Sequence, residues 1–138
     1  MYKKILVTLD GTPTDQAIIE HVKRLAKFAD GRVVLLHVAD GWAARTYGPD
    51  AVSVEITEDA AYLERVKNEF QSAGISTDAE LAYGDPATEI VKWVEEKGCD
   101  LVAMSTHGHR FFADLFLGTT ATKVRHSVSV PILLLKAK

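Results

Sequence analysis

The feature that most constrains this chain is the alternation of short apolar runs with segments of helical period. Ile5 to Leu9 is a run of β-formers closed by Asp10-Gly11. Thr12-Pro13-Thr14-Asp15 then supplies an N-cap, a proline for the first helical position and an early acid. Ala17, Ile18, Val22, Leu25, Ala26 and Ala29 recur at the 3.6-residue spacing of one helix face, and Asp30-Gly31 stops that helix. Val33 to Val38 is a second apolar run, broken only by His37. Ala39 to Ile56 holds Gly41, Gly48 and Pro49, shows no clear period and reads as a long loop carrying Trp42 and Tyr47. A second helix follows with Ala60, Leu63, Val66, Phe70 and Ala73 on one face and Gly74 past its end. Ile75 to Tyr83 alternates in its second half, as an edge-type strand with one wetter face does. Asp85-Pro86 opens a third helix with Ile90, Val91 and Val94 inward and Gly98 at its end. A fourth strand over Asp100 to Ser105, a helix from about Thr119 to His126 and a last strand over Val130 to Leu135 complete the series. Strands that alternate with helices imply parallel pairing with helices on both faces. The expectation is one doubly wound α/β domain over residues 1–138.

That length is enough to bury a core. The 16 Lys and Arg are scattered and outnumbered by 19 Asp and Glu, for a net charge of −3, which argues against a nucleic-acid surface. The single cysteine, Cys99, excludes an intrachain disulfide and a cysteine-based zinc cluster. The opening Met1-Tyr2-Lys3-Lys4 leads into an apolar run too short for a secretory leader, and no run approaches a membrane span. A soluble, cytoplasmic protein with no membrane association is the expectation.

The chemistry concentrates after the fourth strand. Ser105-Thr106-His107-Gly108, nine further residues and then Gly118-Thr119-Thr120 place two small-residue turns at a strand end and a helix start. Gly108 and Gly118 let a ligand approach the backbone closely. Backbone N–H groups there, with the hydroxyls of Thr119 and Thr120 beside a helix N-terminus, favour an anion. Asp10 ends the first strand, at the carboxyl edge where parallel sheets bind ligands. Its carboxylate suits a ribose hydroxyl or a metal on phosphates; equally, it suits the capping of an Asp-Gly turn.

These residues resemble the universal stress protein family. Tyr2-Lys3-Lys4-Ile5-Leu6-Val7, Asp10-Gly11-Thr12, Leu35-Leu36-His37-Val38, Gly84-Asp85-Pro86, Asp100-Leu101-Val102-Ala103-Met104 and Val130-Pro131-Ile132-Leu133-Leu134 carry the likeness, which covers essentially the whole chain. The ATP-binding branch of that family has Gly-x2-Gly-x9-Gly-[Ser/Thr] after the fourth strand. This chain has Ser105-x2-Gly108-x9-Gly118-Thr119, matching all but the first glycine. The resemblance implies a five-stranded parallel sheet in the order 3-2-1-4-5 and an ATP site (or AMP or ADP) where strands one and four adjoin. It implies that Asp10 contacts ribose or, indirectly, a nucleotide-bound Mg²⁺ or Mn²⁺. Val38 and Met104 would flank the adenine, with Thr8, Leu9 and Ser105 beside them. Gly108, Gly118, Thr119 and Thr120 would hold the phosphates, with His107, His109 and Arg110 facing them. It also implies a homodimer joined through Val130 to Leu135, and a signalling or protective role in stress with a protein partner the sequence does not name. If Ser105 had to take positive φ, the substitution would cost roughly 1–2 kcal/mol, about a decade of affinity.

Rival readings use the same segment. Thr106-His107-Gly108-His109 matches the [His/Thr]-x-Gly-His signature of nucleotidyltransferases, although there the signature follows the first strand. His107 and His109 could ligate a metal, with Asp114 the only obvious neighbouring oxygen ligand. No Walker lysine is present, so any ATP hydrolysis should be slow and a binding module is favoured over an enzyme. A dimeric interaction protein that binds no nucleotide is the competing class. Phe111, Phe112, Leu115, Phe116 and Leu117 load the connecting segment with apolar side chains, as either a flap or a partner surface would. His37 reads as a satisfied core histidine.

Overall fold

A computed structural model describes residues 1–39, 48, 51–106 and 120–137. Five strands, β1 (Lys4–Leu9), β2 (Arg32–Ala39), β3 (Thr77–Tyr83), β4 (Leu101–Ser105) and β5 (Ile132–Leu135), form one sheet. Every neighbouring pair is parallel, and the order is β3-β2-β1-β4-β5. The helices among the described residues are α1 (Gln16–Ala29), α2 (Ala51–Ser72), α3 (Pro86–Lys97) and α4 (Thr122–Ser127).

Strand periodicity divides the core into two layers. On one face Ile5, Val7, Val33, Leu35 and Ala103 meet Ile18 and Val22 of α1 and Leu63, Val66 and Phe70 of α2. On the other, Leu6, Val34, Leu36, Val102 and Met104 meet Ile90 and Val94 of α3 and Val124 of α4. Central strands buried on both faces have no wet side, which is why their sequences are apolar runs rather than alternations. The β3 strand lies at an edge, and only Thr77 and Ala82 of it are fully buried.

The caps follow their sequence signals with two differences. Thr12 caps a short 3-10 turn over Pro13–Asp15 that leads into α1. Asp85 caps α3, accepting the Thr88 N–H at 3.0 Å and its hydroxyl at 2.8 Å, and Gly98 closes that helix in the left-handed region. After α1, however, Asp30 takes the left-handed conformation (φ 53°) rather than Gly31. Gly31 is needed for space instead: a Cβ there would lie 2.4 Å from the Tyr2 carbonyl oxygen.

The second difference is in α2, which begins at Ala51, so the loop expected to reach Ile56 ends earlier. Its first turns contain Val52, Val54 and Ile56, β-branched residues that mask helical character, and Val54 is exposed. Ala60, expected inward, is exposed, and Asp59 takes the buried position. The strand bounds at Asp100, Val130 and Ile75 contract to Leu101, Ile132 and Thr77, and the final helix starts at Thr122 after a wider turn at 120–121. Trp42 and Tyr47 lie outside the described residues.

Candidate functional site at the carboxyl edge of β1 and β4

The strand order reverses between β1 and β4, because the chain moves outward through β2 and β3 on one side and through β4 and β5 on the other. In open parallel sheets the helices that cross to opposite faces at such a reversal open a crevice at the carboxyl ends of the two strands. The sequence-predicted residues there separate by layer. Thr8, Val38 and Met104 share parity with Leu6, Leu36 and Val102, so their side chains lie on the α3–α4 side. Leu9 points the other way, into the α1–α2 core. Thr120 is buried just before α4.

Ser105 ends β4 in ordinary extended backbone, since the only non-glycine residues with positive φ among those described are Tyr2 and Asp30. The penalty considered for a missing glycine is therefore absent. Ser105 Oγ and Thr106 Oγ1 are shielded from solvent and have no hydrogen-bond partner among the described residues. Buried hydroxyls are normally satisfied, so two adjacent exceptions at a strand end mark a place where a donor or acceptor is wanted. His107, Gly108, His109, Arg110, Gly118 and Thr119 lie outside the described residues, as do Asp114 and the apolar segment from Phe111 to Leu117.

Asp10 follows β1 at the centre of a hydrogen-bonded turn. Its Oδ1 accepts the Thr12 N–H at 3.0 Å and the Thr12 hydroxyl at 2.5 Å. Its Oδ2 accepts the Thr14 hydroxyl at 3.1 Å. The turn-capping role is thus present, and Oδ2 keeps room for a further donor such as a ribose hydroxyl. Among the described residues no cluster of three His, Cys, Asp or Glu could hold a metal.

Beneath this turn lies a polar layer that no sequence signal foretold. Asp15, 1% exposed, accepts the backbone N–H of Asp10 at 3.0 Å and of Gly11 at 2.9 Å. The Tyr62 hydroxyl, from α2, donates to the same carboxylate at 2.6 Å. Burial, reinforced by the charge of Asp10, pushes the Asp15 carboxyl up to about 6, although all three donors act to lower it. Burial and the bond to Asp15 raise the Tyr62 phenol far above its ordinary value, so it remains a donor. Nearby, His37 is buried as expected: Nδ1 donates to the Leu9 carbonyl at 2.8 Å, and Nε2 lies 3.1 Å from Asp59 Oδ2. Thr12-Pro13-Thr14-Asp15 was readable as a helix start, but nothing in its spacing points to Tyr62, 47 residues on.

Comparison with known proteins agrees with this architecture. Universal stress protein MJ0577 of Methanocaldococcus jannaschii is 29% identical over 157 aligned residues, covering 100% of this chain and 97% of its own. A solved structure of MJ0577 superimposes with a TM-score of 0.83 at 30% identity, covering 100% of this chain and 98% of that one. Universal stress protein YxiE of Bacillus subtilis is 26% identical over 99% of this chain and its full length. A universal stress protein in complex with cAMP shares the fold at 16% identity (TM-score 0.73, covering 99% of this chain and 98% of that one). So does one from Archaeoglobus fulgidus in complex with dAMP, at 15% identity (TM-score 0.68, covering 96% and 97%). The sequence model of the universal stress protein family matches residues 1–136, and the chain belongs to that family.

Proposed function

We propose that residues 1–138 form an adenine-nucleotide-binding domain that takes ATP, or AMP or ADP, in the crevice where β1 and β4 adjoin. The observation that carries this reading is the convergence there of Thr8, Val38 and Met104 from one layer, the Asp10 carboxylate, and the Ser105 and Thr106 hydroxyls, which have no partner among the described residues. Apolar side chains on adjacent strand ends suit a flat base, and a carboxylate with room at Oδ2 suits a ribose hydroxyl. Thr120, at the entrance to α4, has the chemistry to meet phosphate together with Gly108, Gly118 and Thr119. The cAMP and dAMP complexes of related folds support an adenine ligand. A divalent Mg²⁺ or Mn²⁺ would arrive on the nucleotide, with Asp10 meeting it indirectly through that nucleotide.

The protein is then a nucleotide-gated module of the stress response rather than an efficient enzyme, with slow hydrolysis at most. A cytoplasmic homodimer joined through β5, open to a further protein partner, completes the proposal. Its support is a β5 edge on which Leu134 is 45% exposed. No helix among the described residues is long and apolar enough to cross a membrane. Titration calorimetry with Mg-ATP tests the central claim: saturable heat at micromolar to millimolar ligand is expected. A flat titration to millimolar would favour a dimeric interaction protein that binds no nucleotide.

A further inference from the structure

We propose that Asp15 and Tyr62 are positioning residues for the nucleotide site, holding the Asp10–Gly11 peptide from beneath through a bridge anchored on α2. The inference rests on the nucleotide reading above. It starts from a geometric fact: the loop that presents Asp10 makes its backbone bonds to a side chain, not to the sheet. Both successive N–H groups, of Asp10 and Gly11, end on the two oxygens of Asp15. Gly11 has φ 84°, a conformation with no strand neighbour to fix it. The same carboxylate takes the Tyr62 hydroxyl, so α2 and the loop share one acceptor. Four side chains therefore define where Asp10 stands: Asp15 at the end of the 3-10 turn, Tyr62 on α2, and Thr12 and Thr14 on the carboxylate itself.

The neighbouring charges do not offer a substitute anchor. Asp10 repels Asp15, Arg65 lies over the Tyr62 ring at 5.7 Å, and the His37–Asp59 pair sits on the far side of Gly11. Among the described residues, the N–H groups of Asp10 and Gly11 find their side-chain acceptor in Asp15. An asparagine in its place keeps one oxygen for Asp10 and offers its NH₂ to the Tyr62 oxygen. It leaves the Gly11 N–H facing another donor. The peptide then spends only part of its time in the binding arrangement, and apparent affinity falls by that fraction.

The test compares wild type, Asp15→Asn, Tyr62→Phe and, as a control at another helix start, Asp85→Asn. Each is titrated with Mg-ATP by calorimetry at pH 7.5, and the amide proton of Gly11 is followed by NMR without nucleotide. Asp15→Asn should weaken binding roughly tenfold and move the Gly11 amide upfield, as loss of one charge-assisted bond predicts. Tyr62→Phe, which keeps the ring packing, should weaken it roughly threefold, and Asp85→Asn should leave it unchanged. If Asp15→Asn does not fold, Tyr62→Phe carries the test alone. Wild-type affinity in both site variants would overturn the positioning role while leaving the nucleotide reading intact. Absence of binding by the wild type would overturn the nucleotide reading, and the positioning role with it.

Discussion

Replacing Asp15 by asparagine should remove a pH-dependent load on the fold, and its size follows from the burial of that carboxyl. The group moves from an ordinary 3.8 to about 6 on folding, chiefly because it is taken out of water. A raised folded value means the native state holds the proton more tightly than the unfolded chain. The stabilising contribution is therefore complete below the unfolded value and is lost as pH climbs through the folded one. The displacement, 6 less 3.8, corresponds to about 3 kcal/mol in full. Of this, about 2 kcal/mol falls between pH 4.5 and 7.5, where denaturation is practical. Urea unfolding of wild type and Asp15→Asn across that range, at fixed ionic strength, gives two curves whose difference cancels the titrating groups that do not interact with Asp15. Wild type should lose about 2 kcal/mol relative to the variant from the acid to the neutral end. A difference constant within about 0.5 kcal/mol would refute the argument that Asp15 is buried at the expense of its charge. The two readouts on this residue have opposite signs, because the substitution relieves the fold near neutral pH and loosens the loop.

Gly31→Ala should destabilise by about 2–3 kcal/mol, because its methyl must displace the Tyr2 carbonyl from 2.4 Å. Gly98→Ala, with open space around it, should lose only the roughly 1–2 kcal/mol of a left-handed cap, and urea midpoints that reversed this order would contradict the steric account. Leu134→Lys on the exposed edge of β5 should turn the proposed dimer into a folded monomer by light scattering; a dimer that survived the charge would point to another interface. Cys99 is buried, and burial pushes its thiol up to about 11. It should resist a thiol reagent at pH 8 in the native protein and react fully in urea, and rapid native labelling would count against the burial.

The sheet and most of its helices were legible because their signals are local. An apolar run such as Val33 to Val38, or Asp85-Pro86 before a periodic segment, states its own structure within a few residues. The start of α2 was not, because Val52, Val54 and Ile56 carry strand-like propensity and the helix there is held by its later turns. The exchange of Ala60 for Asp59 on the inner face shows the limit of polarity as a guide: Asp59 is buried because His37, 22 positions earlier, meets it. At the site, Asp10 could be located from the end of β1 alone. Its support could not, since Tyr62 joins Asp15 through the tertiary fold and leaves no periodic trace. Ser105 looked like a defect only while its backbone conformation was unknown.

The strand order also sets a timetable. Pairing of β2 with β1 and of β3 with β2 joins segments that leave the ribosome in succession. The β1–β4 border joins Ile5 to Leu101, and the Lys3 and Lys4 N–H groups wait for the carboxylate of Asp100, at 2.8 and 3.1 Å. Long loops close late, so the central seam of the sheet is a late event in assembly. Until it closes, β1 is an open edge and the crevice has one wall. A nucleotide bound there as proposed would need both walls and so act as an inspector of the finished chain, adding stability only to molecules in which the last third has docked on the first.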